Sequence, residues 1–417
     1  MVHHEGSPRV AKGKQVKGSE PAVRRRLSPR VERERKIQRI VTAIGVFAII
    51  FAVVVVGIGW YFAEYRPTHQ IVMKVNGVPI DMLYYIETLK SYGVSDAVPI
   101  VEQAELLRQA ADKLGVTVTD AEVREELKKR EKPVTRTAIE VVKPQLISNK
   151  LLEVYFEEKT PLSAHQRDVQ AIFLESESQA KKIKARLESG EDFGKLASEL
   201  SLDTKTKEGK GSLGWHPKEI FSGLTVSQTF GDIAFSAPVG KLTEPLYDAD
   251  KYKSPSYWLI KIVEKKEEEV RVLAMLLSSE DEAKSVRARL ELGEDFSTLA
   301  KEFSQMSGVS ENGGDMGFVK KGLSGENFDA FVFNSDVKEG TLSEPIRDEK
   351  MVTRGGYWLI KVLNEDKDRL LSNDDRDIMR KNAYYEWANG LRNAPDKKVD
   401  VLITDAQKQW AKDKADR

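Results

Sequence analysis

No cysteine occurs in the 417 residues. That absence excludes disulfides, thiolate metal sites, a thiol nucleophile and a lipid-modified cysteine anchor. Histidine is scarce. The five present (His3, His4, His69, His165 and His216) are too scattered to suggest a metal cluster. Neither a metal nor another cofactor is expected. An excess of one charge is lacking too: 66 basic residues balance 66 acidic ones. No overall field therefore selects nucleic acid or acidic substrates, and no nucleic-acid partner is expected.

Long apolar runs are absent but for one. Ile40 to Ala63 is 24 residues without a charge. As a helix it would span a hydrocarbon core of roughly 30 Å with some tilt. Trp60, Tyr61 and Tyr65 stand where interfacial aromatics belong. The 39 residues before it carry twelve Lys/Arg, Arg24–Arg26 among them, against four acids. The positive-inside rule then places the N-terminus in the cytoplasm and the chain from about residue 64 outside. Tyr61 occupies the −3 place before Ala63, where a cleaved signal peptide needs a small residue. A retained signal-anchor is expected: a single-pass protein of a bacterial plasma membrane. Residues 1–39 read as a basic, disordered cytoplasmic tail and 40–63 as the span.

The exported part is dominated by an internal repeat. Residues 188–201 read ESGEDFGKLASELS, and residues 291–304 read ELGEDFSTLAKEFS. Each copy runs on to a glycine turn (SLGW at 212–215, DMGF at 315–318) and then to YWLIK, at 257–261 and again at 357–361. Before the repeats, 71–82 reads as a strand pair around Asn76-Gly77, a strong hairpin dipeptide. Helical periodicity follows at 83–114, then a capping box at Thr119–Glu122 and a helix over about 137–158. Each repeat reads as one strand, helices around a polar loop (Asp203–Lys210 in the first copy), then a closing hairpin; in the first copy the hairpin strands are 241–247 and 256–263. The fold class is α+β with a small antiparallel sheet per repeat. The tail, 372–412, reads as a helix, a strand at Lys398–Ile403 and a short helix. Its apolar residues need a partner, and the helical segment 83–158 supplies the obvious one. Domains are expected at 71–165 (helical), 166–268 and 269–365 (the repeats), with 370–417 returning to the first.

The ordered blocks of the repeat resemble the parvulin family of peptidyl-prolyl isomerases. In the second copy they are Gly293–Ser304, Gly313–Gly317, Phe328–Phe333, Gly340–Pro345 and Gly356–Lys361; the first carries Gly190–Ser201, Gly211–Gly214, Phe230–Phe235, Gly240–Pro245 and Tyr257–Lys261. The wider layout is similar to that of the SurA and PrsA foldases over about 71–412. The resemblance implies a pocket that grips a proline ring and desolvates its carbonyl, easing rotation about a bond of partial double-bond character. It places the pocket aromatic at Phe230 and Phe328, with Val226 and Ser324 four residues before. It places the two family histidines on Ala171 and Trp258 in the first copy, and on Ala274 and Trp358 in the second. The family's Cys/Asp position falls on Asp203 and on Met306. Neither copy keeps either histidine.

Each candidate also has a plainer reading. Phe230 and Phe328 suit ordinary helix core, and Trp258 and Trp358 suit sheet core. Asp203, the one candidate catalytic group, also suits a turn or cap. His216 suits a solvated loop. The twice-repeated Ala–Trp exchange reads as volume compensation between neighbouring strands, giving a dry core in place of a hydrogen-bonded one. The resemblance therefore implies a membrane-tethered foldase or chaperone that binds unfolded or nascent, proline-containing exported polypeptides, with isomerase activity weak or lost. The alternatives are a working isomerase acting through the first repeat, and a non-catalytic envelope scaffold.

Overall fold

The computed structural model of the chain describes residues 29–322 and 324–416. The basic residues of the tail up to 28, Arg24–Arg26 included, lie outside the described residues. Residues 29–39, expected as part of a disordered tail, are instead helical: one helix runs Pro29–Trp60 and continues through a π-helical turn, Tyr61–Tyr65. Its stretch Ile40–Thr68 is long and apolar enough to cross a membrane and has none of its apolar window buried.

The strands are, in chain order, β1 (Ile71–Val75), β2 (Val78–Asp81), β3 (Ser163–Leu174), β4 (Ser212–Pro217), β5 (Leu246–Lys253), β6 (Ser256–Lys265), β7 (Glu269–Leu277), β8 (Asp315–Lys320), β9 (Ile346–Asp348), β10 (Thr353–Leu370) and β11 (Val399–Val401). The chain divides into two compact units. One holds the described residues up to Glu102 together with those from Lys398 on; the other is Gln103–Lys397.

In the first unit β1 lies between β2 and β11, all antiparallel. Asn76 and Gly77 both take positive φ (51° and 83°), the pair of left-handed residues that a tight hairpin of matching twist requires. The helix Met82–Tyr92 starts on Asp81, whose carboxylate accepts from Tyr84 N, and stops at Gly93 in the left-handed conformation. The last helix, Asp405–Ala415, packs against it. Lys408 pairs with Asp96 at 2.6 Å and Lys414 with Glu64 at 2.7 Å. The tail thus returns to the N-terminal segment here.

In the second unit the capping box forms as expected, Thr119 with Glu122, at the head of the helix Asp120–Lys129. The helix Arg136–Lys150 runs into a π-helical turn, Leu151–Phe156. Tail helix Asn373–Arg392 docks on both. Tyr384 and Ala388 join a buried cluster with Ile147, Leu151 and Phe156. Tyr384 Oη donates to Ser148 Oγ at 2.7 Å, and Glu157 accepts from Arg376 and Arg380.

The two four-stranded sheets have the orders β4–β3–β10–β5 and β8–β7–β6–β9. This differs from two repeats that each close on themselves. The YWLIK strand of the first copy, β6, pairs with β7 and β9 of the second copy. That of the second copy, β10, pairs with β3 and β5 of the first. The repeats have exchanged their final strands. In space one domain is 163–253 with 353–370, and the other is the continuous stretch 256–348.

Other boundaries shift as well. The polar loop after Asp203 contains a short helix, Thr204–Glu208, with Asp203 as its cap. A helix, Lys218–Thr225, precedes the expected one, which is Phe230–Ser236. Strand β5 starts at 246 rather than 241; ahead of it Val239 and Leu242 make isolated bridges, to Val362 and Lys361.

Candidate functional site

The repeat motifs owe their residues to contacts inside each domain. The GEDF aspartate caps the helix that follows: Asp192 accepts from Lys195 N and Asp295 from Thr298 N. The GEDF phenylalanine lies against a glycine of the later turn. A Cβ on Gly211 would come within 2.6 Å of the Phe193 ring, and one on Gly314 within 2.7 Å of the Phe296 ring. Both glycines also hold positive φ (83° and 86°), so no other residue fits. The hydroxyl of the [ST]-E-P block accepts from the exchanged strand: Ile360 N donates to Thr243 Oγ1 at 3.0 Å, and Ile260 N to Ser343 Oγ at 2.9 Å.

Around the positions that the resemblance assigns to the pocket, each domain forms a closed aromatic cluster. Phe230 is fully buried between Phe221 and Trp358, with the Trp358 ring edge-on at 4.7 Å. Trp358 also meets Phe173 at 4.7 Å. In the other domain Phe328 is fully buried against Trp258 at 5.2 Å. Trp258 and Trp358 are 1% and 0% exposed, which agrees with the core reading. The volume exchange is crossed between copies, because the strands are. Ala171 faces β10 and shares its cluster with Trp358; Ala274 faces β6 and shares its cluster with Trp258. Ala171 and Trp258, expected as neighbours, belong to different sheets.

The core is also not dry, contrary to the sequence reading. Trp358 Nε1 donates to Asp248 Oδ2 at 3.0 Å, and Trp258 Nε1 to Asp348 Oδ2 at 3.1 Å. Both carboxylates are buried, and each accepts two further backbone N–H bonds, from residues 250 and 251 and from residues 350 and 351. An indole N–H must find an acceptor when buried, and the repeat supplies one in each copy. These two aspartates escaped the sequence reading, though the signal was there: E-P-x-x-D occurs in both copies, at 244–248 and 344–348.

The copies part at one place. Asp203 is 5% exposed and pairs with Lys251 Nζ at 2.7 Å while capping its helix through Thr206 N. Lys251 also donates to Thr225 O, and its ammonium lies 5.6 Å from the Trp358 ring centre and 5.7 Å from that of Phe173. In the second copy the corresponding residues are Met306 and Met351, both packed on the cluster around Trp258. A charged pair in one copy is two thioethers in the other.

Val226 stands apart from the buried cluster. It is 73% exposed, in the left-handed conformation at the end of Lys218–Thr225 (φ 48°). Its neighbours hold it there: Thr225 O accepts from Lys251, and Ser227 Oγ donates to Asp248. His216 is not a loop residue. It lies on β4, and its Nδ1 meets both oxygens of the buried Asp375 at 2.9 Å. Among the described residues no group of three or more potential metal ligands converges.

A four-stranded sheet of this order, with the repeat's helices packed on it and a buried aromatic on the helix that precedes the third strand of the repeat, defines a parvulin-like domain, present twice. The family model for the PPIC-type PPIASE domain, or rotamase, matches residues 162–265 and 259–364. Residues 162–364 of this chain belong to that family, as two domains in tandem. The chain is 36% identical over 138 residues to the foldase protein PrsA of Geobacillus kaustophilus, covering 33% of this chain and 45% of the relative. It is 31% identical over 222 residues to the chaperone SurA of Pseudomonas syringae pv. tomato, covering 49% of this chain and 46% of the relative. The solved structure of a peptidylprolyl isomerase (PrsA) from Bacillus anthracis aligns with 75% of this chain and 94% of its own, at 14% identity and a TM-score of 0.29. The chain spans about half the length of the curated relatives it matches.

Proposed function

We propose that the protein is a membrane-tethered, extracytoplasmic foldase-chaperone that holds unfolded segments of exported polypeptides, with little or no prolyl isomerase activity. The observation that carries this reading is the filled catalytic position. Where the family has a histidine pair, each domain has Ala and a buried Trp whose ring closes over the pocket aromatic. Desolvation catalysis needs a pocket that admits the proline ring, and Phe230 and Phe328 expose no surface to one. The relatives named PrsA and SurA support the chaperone role. The exposed apolar helix Ile40–Thr68 supports the tether. Purified in detergent, the full chain should leave the cis–trans relaxation of a proline peptide at its uncatalysed rate while suppressing aggregation of an unfolded client at equimolar ratio. Catalysed relaxation would refute the first half, and unchanged aggregation of several clients would refute the second and favour an envelope scaffold. For the tether, release of the chain from membranes by alkaline carbonate would be the contrary result.

A second reading, isomerisation in the first domain alone, is favoured by one observation: only that domain keeps the Asp203–Lys251 pair, with the ammonium near the Trp358 ring. Under it, activity would be present and would disappear in Phe230→Ala.

A further inference from the structure

The exchange of β6 and β10 has an unusual property: the two strands share the same core sequence. Both read YWLIK, and the next residue differs by one methylene, Ile262 against Val362. The slots they occupy are duplicated as well. Each offers an alanine facing the strand's isoleucine, Ala171 to Ile360 and Ala274 to Ile260. Each offers a buried aspartate for the indole N–H, Asp248 or Asp348, and a phenylalanine against the indole ring, Phe230 or Phe328. Each offers a hydroxyl for the isoleucine N–H, Thr243 or Ser343. Returning each strand to its own repeat would replace every one of these contacts by its twin.

The connections permit that return. Two residues, 254–255, separate β5 from β6, and four, 349–352, separate β9 from β10. These are hairpin-loop lengths. The pairs β5–β10 and β6–β9, both antiparallel, are the pairings that such hairpins would make as β5–β6 and β9–β10. The stretches matched by the family model, 162–265 and 259–364, each contain their own copy's final strand. What distinguishes the arrangements is the joint. There Tyr257 Oη donates to Glu175 at 3.2 Å and Lys253 Nζ to Ser278 O. Asp281 accepts from Ser176 Oγ at 2.6 Å, and Gln305 exchanges two bonds with the Arg354 backbone, at 2.9 and 2.6 Å. These bonds join one sheet's domain to the other's.

We propose that the exchanged arrangement is one of two states of this chain, the other being the state in which each repeat closes its own sheet, and that the joint between β5–β6 and β9–β10 is the switch between them. In the exchanged state two chain crossings and the joint bonds hold the domains as one body. In the self-closed state a single connection, 266–268, links two domains that are otherwise independent. Low-cost exchange of identical elements is a known property of swapped folds, and a bistable joint is the element an effector or client can bias. The inference rests on the fold and not on the proposed chaperone role.

The cysteine-free chain makes the test direct. In the full-length protein, Asp168→Cys, Glu264→Cys and Asn364→Cys are introduced together. Position 168 pairs with 364 across β3–β10 in the exchanged state. By the repeat's own register, in which Arg271 faces Glu264, it pairs with 264 in the self-closed state. A short bis-maleimide is applied at high dilution, and the linked peptides are read by mass spectrometry. Both 168–364 and 168–264 links are expected, with the 168–264 share rising at least twofold when Asp281→Ala loosens the joint. A 168–364 link alone, a 168–264 link alone, links between chains, or a ratio unmoved by Asp281→Ala would each overturn the proposal. A second trio, Gln170→Cys with Lys261→Cys and Lys361→Cys, guards against misfolding of the first and is read the same way.

Discussion

Trp358 and Trp258 are core residues whose one polar atom is accounted for: each buried indole N–H donates to a carboxylate that the same motif supplies in both copies. Asp248→Ala leaves the buried Trp358 N–H without its acceptor, and should destabilise the first domain by about 1–3 kcal/mol in urea unfolding. An unchanged midpoint would mean the bond contributes nothing. The second copy also supplies a natural experiment for the Asp203–Lys251 pair. Asp203→Met alone strands a buried ammonium and should cost about 3–5 kcal/mol, whereas Asp203→Met with Lys251→Met reproduces the Met306–Met351 packing and should return to within about 1 kcal/mol of the parent. A double variant as unstable as the single one would show that the copies are not equivalent there. Much of this was legible by laying the repeats over one another: Ala171, Ala274, Met306 and the tryptophans were all visible so. The aspartates at 248 and 348 recur in both copies too, but nothing in a strand-edge sequence announces that its carboxylate is buried.

Individual elements were read well where their ends carry their own chemistry. The Thr119–Glu122 box and the Asn76-Gly77 turn stand where the sequence puts them. The helix Lys218–Thr225 was missed; Gly223 interrupts its eight residues, and its apolar face (Ile220, Phe221, Leu224) is short. The strand exchange was not legible at all. Alternation and composition are identical for either assignment of two YWLIK strands, so no local pattern distinguishes them. At the joint the elements leave a titratable signature. Burial pushes the Lys253 ammonium down to about 8, against the opposing pull of Glu175 and Glu282. Between about pH 8 and the ordinary lysine range the unfolded chain holds this proton and the folded chain does not, so this lysine's contribution to stability rises with pH there and is flat below pH 8. The melting temperature of the wild type should therefore gain on that of Lys253→Met as pH goes from 8 to 10. Parallel curves would place Lys253 in water.

On the scale of the whole molecule the tandem repeat is not a string of two beads. Only 256–348 holds all four strands of its sheet in one continuous stretch. Expressed alone, that stretch should unfold in a single cooperative transition, and a broad, non-cooperative melt would show that it needs the rest. The other sheet needs β10, and the N-terminal hairpin needs β11 and the last helix. A ribosome delivers these parts in a fixed order. When β3, β4 and β5 have emerged, the strand that arrives next is β6, and β10 follows about a hundred residues later at roughly 5–20 residues per second. For some seconds of every synthesis the first slot has at hand only the other strand with a YWLIK core. On the two-state proposal, a newborn molecule would reach the exchanged arrangement by displacing an occupant rather than by filling a vacancy.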